Sequence, residues 1–407
     1  MTKPLKVLYI DGVGPFGGAS RSLYEAMKAF PEGAVERYFV MQEGTAGEFY
    51  GRVAKGMITT RGITRFDNTR ASHYRGVRWI VPLRELVWLP FTVMALLKAR
   101  RRWKDIDLIH VNEVHEIFAG VFAKLLFRTP MIVHVRSLQR LPSERSRRTA
   151  LMNWMLRRYA DAVIAIDENV RATLPAEVAP IVIHNSFQPT PSEAPDSIYL
   201  AQLDNLRSSS LKVGFVGNLH QNKGTAELFE AAKLVKAGGH DVQFLLVGGN
   251  TSSHKGLKAW LLRRLGLAQD LNERLVAEID AAGLADDFLL LGATKDIQRV
   301  YSRFDVVAFP SYFDAPGRPV FEAAFYGVPA IVAVRNPRPD TFVDGETGVA
   351  IAEPDPELLA AAIVGFANDR SSARRMGDQA KALAERNFVP RTNSAKMLEL
   401  YRRLVPA

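Results

Sequence analysis

Short apolar runs recur along the chain, and stretches with helical spacing lie between them. In the first half the runs are LKVLYID (5–11), ERYFVM (36–41), DLIHV (107–111), PMIVHV (130–135), DAVIAI (161–166) and PIVIHN (180–185). The pattern restarts with LKVGFVG (211–217), VQFLLVGG (242–249), FLLLG (288–292), DVVAFP (305–310) and PAIVAV (329–334). Strands alternating with helices predict α/β architecture and parallel sheets. Between the halves, SFQPTPSEAPDS (186–197) is rich in Pro and Ser and has no apolar periodicity, as expected of a linker. The expectation is two doubly wound domains, residues 1–190 and 211–385, joined by a linker over 191–210. Residues 386–407 carry a last helical pattern, NSAKMLELYRRLV (393–405), after Pro390. It either finishes the second domain or crosses back onto the first.

A chain of 407 residues is long enough for two cores. It contains no cysteine, which excludes disulfides, thiolate metal sites and cysteine nucleophiles. The N-terminus runs directly into a strand pattern without the apolar segment of a secretory signal, so a cytoplasmic location is expected. The net charge of +10 is uneven: residues 1–190 carry 28 basic and 17 acidic side chains, residues 211–385 carry 19 and 22. Residues 61–104 hold eleven Lys/Arg against Asp67 and Glu85. Such a face attracts anionic lipid or nucleic acid, and no nucleic-acid-binding motif accompanies it. Within it, LVWLPFTVMALL (86–97) is too short to span a bilayer as a helix. Basic clusters flank it: Arg75, Arg78 and Arg84 before, Lys98, Arg100, Arg101, Arg102 and Lys104 after. Two readings stay open, a core helix packed on the sheet and a helix lying in an anionic membrane interface.

Residues 311–327, SYFDAPGRPVFEAAFYG, place Asp314 eight positions before Glu322, either side of a glycine-containing turn that leads from a strand into a helix. Ligands of parallel α/β sheets bind at the carboxyl ends of strands, and helix N-termini suit phosphate. Gly317 allows close backbone approach, with the amides of Arg318, Val320 and Phe321 to offer; Pro319 has none. Glu322 and Asp314 suit the hydroxyls of a ribose and of a second polyol.

This stretch resembles the E-x7-E signature of the retaining glycosyltransferases of family 4, which have the GT-B fold, with Asp314 in place of the usual first Glu. The order of elements agrees. FVGNLHQNKGTAELFEAAKLV (215–235) resembles the family's strand–loop–helix with its G-R-L…K-G pattern, and 244–250, 288–311 and 340–363 resemble the blocks that follow. In the first half, GPFGGASRSLYEAM (14–27) resembles the Gly-rich loop after the first strand; DLIHVNE (107–113), DAVIAIDENV (161–170) and VIHNSF (182–187) also fit.

The resemblance implies two Rossmann-like domains facing a central cleft, with the nucleotide sugar donor on the second and the acceptor on the first. Lys223 would set its ammonium on the donor diphosphate, beside Gly217, Asn218 and the turn of Gly317, Arg318, Val320 and Phe321. Glu322 would take the ribose and Asp314 the sugar. Asn218 stands where the family has an arginine, a role Arg318 or a first-domain arginine would have to cover. Gly17 and Gly18 would approach the phosphates or donor sugar. The family's first-domain histidine, counted from Pro130, falls on Arg136; His134 lies two residues earlier on the same strand face. Both are candidate catalytic residues, with Lys223 and Asp314. No metal or cofactor is implied beyond a UDP- or GDP-linked donor. DID (105–107) matches a metal-binding D-x-D by letters but opens a strand. His110, Glu113 and His115 lack H-E-x-x-H spacing, and His73, His184, His220, His240 and His254 share no pattern. The implied activity is retaining transfer to a glycan; the basic first half and the 86–97 run suggest an acceptor that is lipid-linked on the cytoplasmic leaflet, as in polysaccharide or lipopolysaccharide assembly. A nucleotide-sugar epimerase and a non-catalytic binding module are the rival readings.

Overall fold

The computed structural model describes residues 3–69, 80–141, 143–144, 146–190, 197–219, 221–249, 271–294 and 296–405. Arg75, Arg78, His73, His220, His254 and linker residues 191–196 lie outside them. The chain divides into two compact units: Met1–Gln188 with Asn387–Ala407 (unit 1), and Pro189–Arg386 (unit 2).

Unit 1 is built on seven parallel strands: β1 (Leu5–Asp11), β2 (Val35–Gln42), β3 (Gly56–Thr60), β4 (Leu108–Val111), β5 (Met131–Val135), β6 (Ala162–Ala165) and β7 (Ile181–Val182). Their order is β3-β2-β1-β4-β5-β6-β7. Alternate residues feed opposite faces. In β1, Leu8 and Ile10 join the core under the Ile80–Arg102, Ile117–Phe127 and Arg147–Tyr159 helices. Val7 and Tyr9 join the core under the Gly18–Lys28 and Pro390–Leu404 helices. The last of these buries Met397, Leu398 and Tyr401 in unit 1, and the Tyr401 hydroxyl lies 2.6 Å from His110 Nδ1.

Unit 2 has six parallel strands: β8 (Leu211–Val216), β9 (Val242–Val247), β10 (Phe288–Gly292), β11 (Val306–Phe309), β12 (Ala330–Ala333) and β13 (Gly348–Ile351), in the order β10-β9-β8-β11-β12-β13. Both sheets are therefore doubly wound, as the alternation of runs predicts. Two strands escape that pattern, β3 (GMITT) and β13 (GVAI). Both are short, start at glycine and lie at a sheet edge, where a continuous apolar run is not required.

The 86–97 run lies inside the Ile80–Arg102 helix, with one side of it in the core. Ala95 and Leu96 are buried in the core, whereas Leu86, Val87, Met94 and Leu97 are exposed. Among the described residues no helix is long and apolar enough to cross a membrane.

Candidate active site

In unit 2 the strand order reverses between β8 and β11: β9 and β10 follow on one side, β12 and β13 on the other. In open parallel sheets, ligands bind at the carboxyl ends of the two strands that flank such a reversal. The loop after β8 carries Gly217, Asn218 and Lys223, and the loop after β11 carries Asp314 and Gly317. They are fastened together. The Asn222 carbonyl accepts from the Tyr312 amide (3.1 Å) and the Ser311 hydroxyl (3.3 Å), and the Tyr312 hydroxyl donates to Glu227 Oε1 (2.5 Å).

Gly224 explains the approach. It caps the Thr225–Ala237 helix with φ +73°, and a Cβ there would stand 1.9 Å from the Pro310 carbonyl oxygen. Only glycine fits both the conformation and the gap. This sets the half-buried ammonium of Lys223 5.3 Å from the Phe309 ring centroid and 4.8 Å from that of Phe313. Among the described residues no carboxylate pairs with it, and burial pushes its pKa down. The rings offer weak cation–π attraction and no counter-charge. The arrangement suits a bound anion.

Glu322 is buried in the short Arg318–Ala324 helix. Its Oε1 accepts from Arg318 Nε at 2.6 Å and its Oε2 from the Tyr301 hydroxyl at 2.9 Å. Arg318, a candidate to replace the arginine missing at Asn218, is thus tied to Glu322 and lies over the Phe321 ring. Asn218 is exposed. Of the three amides expected to face a ligand, that of Val320 donates instead to the Gly317 carbonyl (3.0 Å), because the helix is already turning there. Val320 and Phe321 are buried. Gly317 seats the loop on the core, since a Cβ there would lie 2.2 Å from the Phe309 ring. Asp314, at φ +54°, accepts from the Arg335 amide (2.9 Å), with Arg335 Nε 3.6 Å from its other oxygen.

Unit 1 repeats the reversal between β1 and β4. Gly17 caps the helix that begins at Gly18, and a Cβ on Gly17 would meet nothing nearer than 3.9 Å, so protein packing does not require glycine there. Asp11 is spent on structure: Oδ2 accepts from Ser20 (3.0 Å), Tyr50 (2.6 Å) and Asn112 (3.0 Å). Arg136, just past β5, is held by Asn112 Oδ1 (2.9 Å) and Asn185 Oδ1 (2.7 Å), and its Nη2 lies 3.2 Å from His134 Nδ1. Guanidinium only donates, so Nδ1 accepts and the ring proton is on Nε2. Burial, then the neighbouring Arg136 charge, holds the His134 pKa well below 6.5. His134 is a neutral, buried support for Arg136. Glu116, beneath the loop after β1, is fully buried with Arg65 Nε 3.5 Å away, and burial raises its pKa to about 8.

The structure brings Lys223, Asp314, Gly317, Arg318 and Glu322 together in unit 2, and Gly17, Gly18, His134 and Arg136 at the strand ends of unit 1. The sequence reading assigned no role to Phe313, next to Asp314, or to the two asparagines that hold Arg136. Asn185 lay in VIHNSF, a segment already marked by the resemblance.

Two family models match the chain, Glycosyltransferase Family 4 over residues 16–189 and Glycosyl transferases group 1 over residues 204–383. The lipopolysaccharide core biosynthesis mannosyltransferase of Rhizobium leguminosarum bv. viciae is 27% identical over 79% of this chain and 85% of its own. The 2-deoxystreptamine glucosyltransferase of Streptomyces kanamyceticus is 26% identical over 73% and 75%. Among solved structures, Anabaena HepE in complex with UDP-glucose superposes with a TM-score of 0.71 at 21% identity, over 98% of this chain and all of that one. The two-sheet architecture is that of the GT-B glycosyltransferases.

Proposed function

The chain belongs to the family 4 glycosyltransferases, and we propose that it moves a sugar from a nucleoside diphosphate donor held by unit 2 to a glycan acceptor taken up by unit 1. The observation that carries this reading is the Lys223 ammonium, half-buried at the strand-order reversal of unit 2 beside two aromatic rings and, among the described residues, paired with no carboxylate. A diphosphate supplies the missing charge. As the glycosidic C–O bond breaks, negative charge grows on the departing diphosphate, and a fixed cation stabilises it most at that point. Glu322 is assigned to the ribose and Asp314 to the donor sugar, and Gly217, Gly317 and the Phe321 amide are assigned to the diphosphate. Arg136, positioned by His134, Asn112 and Asn185, is assigned to acceptor or donor contact from unit 1.

Retention of anomeric configuration follows if the acceptor hydroxyl attacks the face the diphosphate leaves. The departing phosphate oxygen then takes the hydroxyl proton, and no carboxylate nucleophile is needed. The mannosyltransferase relative is named for lipopolysaccharide core biosynthesis. With the basic excess of the first half, that supports a lipid-linked glycan acceptor in surface polysaccharide or lipopolysaccharide assembly, met at the inner face of the cytoplasmic membrane.

Incubation with a panel of UDP- and GDP-sugars tests the reading. Release of nucleoside diphosphate that accelerates with lipid-linked glycan is expected. An isomerised donor would identify an epimerase, and saturable binding without turnover a binding module.

A further inference from the structure

Three neighbouring helices cover one face of the unit 1 sheet: Ile80–Arg102, Ile117–Phe127 and Arg147–Tyr159. They link β3 to β4, β4 to β5 and β5 to β6 in one direction across the sheet, so they form a single layer. Their inner residues build the core. Their outer residues include Leu86 (65% exposed), Val87, Met94, Leu125 (60%), Leu151 and Trp154 (50%). Large apolar side chains on three adjacent helices exceed the scatter of single surface hydrophobes expected of a soluble protein.

The charge on this layer has one sign. The three helices contain a single carboxylate, Glu85, which is buried and accepts from the Arg65 amide at 2.7 Å. Arg84 is paired with Glu85 at 2.6 Å, and the other exposed cations stand at the ends: Lys98, Arg101 and Arg102 on the first helix, Arg147, Arg157 and Arg158 on the third. Apolar centres with basic ends, a tryptophan among them and no outward acid, match a bilayer interface in which side chains enter the acyl boundary while guanidinium groups meet lipid phosphates.

We propose that this three-helix layer is a docking face for an anionic bilayer. The inference names the membrane partner of the reading above yet stands on its own observations, independent of the donor site. The N-terminal ends of these helices stand at the same sheet edge as Glu113 and Arg136, because each follows the carboxyl end of a strand. Docking through this layer brings that edge to the lipid surface, where a lipid-linked acceptor is presented.

Co-sedimentation of the full chain with phosphatidylcholine vesicles, with and without phosphatidylglycerol, tests the face. Binding is expected only with the anionic lipid. It should fall about tenfold or more in Leu125→Asp/Trp154→Ala, and comparably in Arg157→Gln/Arg158→Gln. All these positions are exposed, so thermal midpoint and nucleotide binding should match the parent and report separately on the transferase reading. Absence of vesicle binding, equal binding to zwitterionic vesicles, or unchanged binding in both variants would overturn the proposal. So would a dimer in sedimentation velocity that Leu125→Asp/Trp154→Ala dissolves, since the face would then be a protein interface.

Discussion

Arg318 Nε donates to Glu322 Oε1 at 2.6 Å, one turn along the same helix, and both side chains are nearly buried. Removing one charge from such a pair strands the other. Glu322→Ala should therefore cost unit 2 about 3–5 kcal/mol in chemical denaturation. Glu322→Gln keeps the Tyr301 contact and should cost roughly half as much. The assignment to ribose has a separate readout. The parent should prefer its nucleoside diphosphate, UDP or GDP, over the 2′,3′-dideoxy analogue, and Glu322→Gln should lose most of that preference in titration. An unaltered preference would leave Glu322 with a structural role only.

The glycines of the two loops separate packing from ligand space. Gly224→Ala forces a Cβ to 1.9 Å from the Pro310 oxygen at φ +73°. It should destabilise unit 2 by more than about 2 kcal/mol, the left-handed strain adding to the clash. Gly17→Ala meets nothing closer than 3.9 Å at an ordinary φ of −103°. Its stability should stay within about 0.5 kcal/mol of the parent, while kcat/KM falls if donor or acceptor packs against that backbone. Differential scanning calorimetry with steady-state assays distinguishes the two outcomes.

Three buried groups give unit 1 a defined response to pH. Burial, reinforced by Arg136, holds His110 at about 3 and His134 well below 6.5, so the fold keeps both rings neutral while the unfolded chain protonates near 6.5. Their contribution is present above 6.5 and lost as pH falls below it. Glu116 works the other way: burial raises it to about 8 from 4.5, so its contribution is present below 4.5 and lost as pH rises through 8. Each group changes stability by about 1.4 kcal/mol per pH unit inside its window. The part of unit 1 stability due to these groups should peak near pH 6.5. Urea titrations across pH should show the alkaline decline flattened in Glu116→Gln and the acid decline reduced in His110→Asn.

The interior strands could be read from the sequence because burial on both faces demands continuous apolar runs, as in VVAFP and MIVHV. The β3 and β13 edges lacked that demand and went unseen. Around the candidate site, the spacing from Asp314 to Glu322 and the N-K-G triplet were legible as motifs. Their mutual placement was not, for it depends on a Cβ that Gly224 lacks and on backbone bonds from Asn222. Side-chain pairing was also hidden. Nothing in G-R-P reveals that Arg318 is tied to Glu322, or that the Val320 amide is already used. The exposed half of the 86–97 run emerged only once helical phase was fixed against the core.

Calorimetric titration of the nucleoside diphosphate that the parent binds, UDP or GDP, into the parent and into Lys223→Met, each paired with urea denaturation of the unliganded protein, tests the diphosphate seat most directly. Methionine keeps the stem and its packing and removes a desolvated cation that has no carboxylate partner among the described residues. Affinity for the diphosphate should drop by roughly 10- to 150-fold, the worth of a charge-assisted contact of about 1.5–3 kcal/mol. Unliganded stability should hold or rise. Equal affinity for that diphosphate in both proteins would contradict the account.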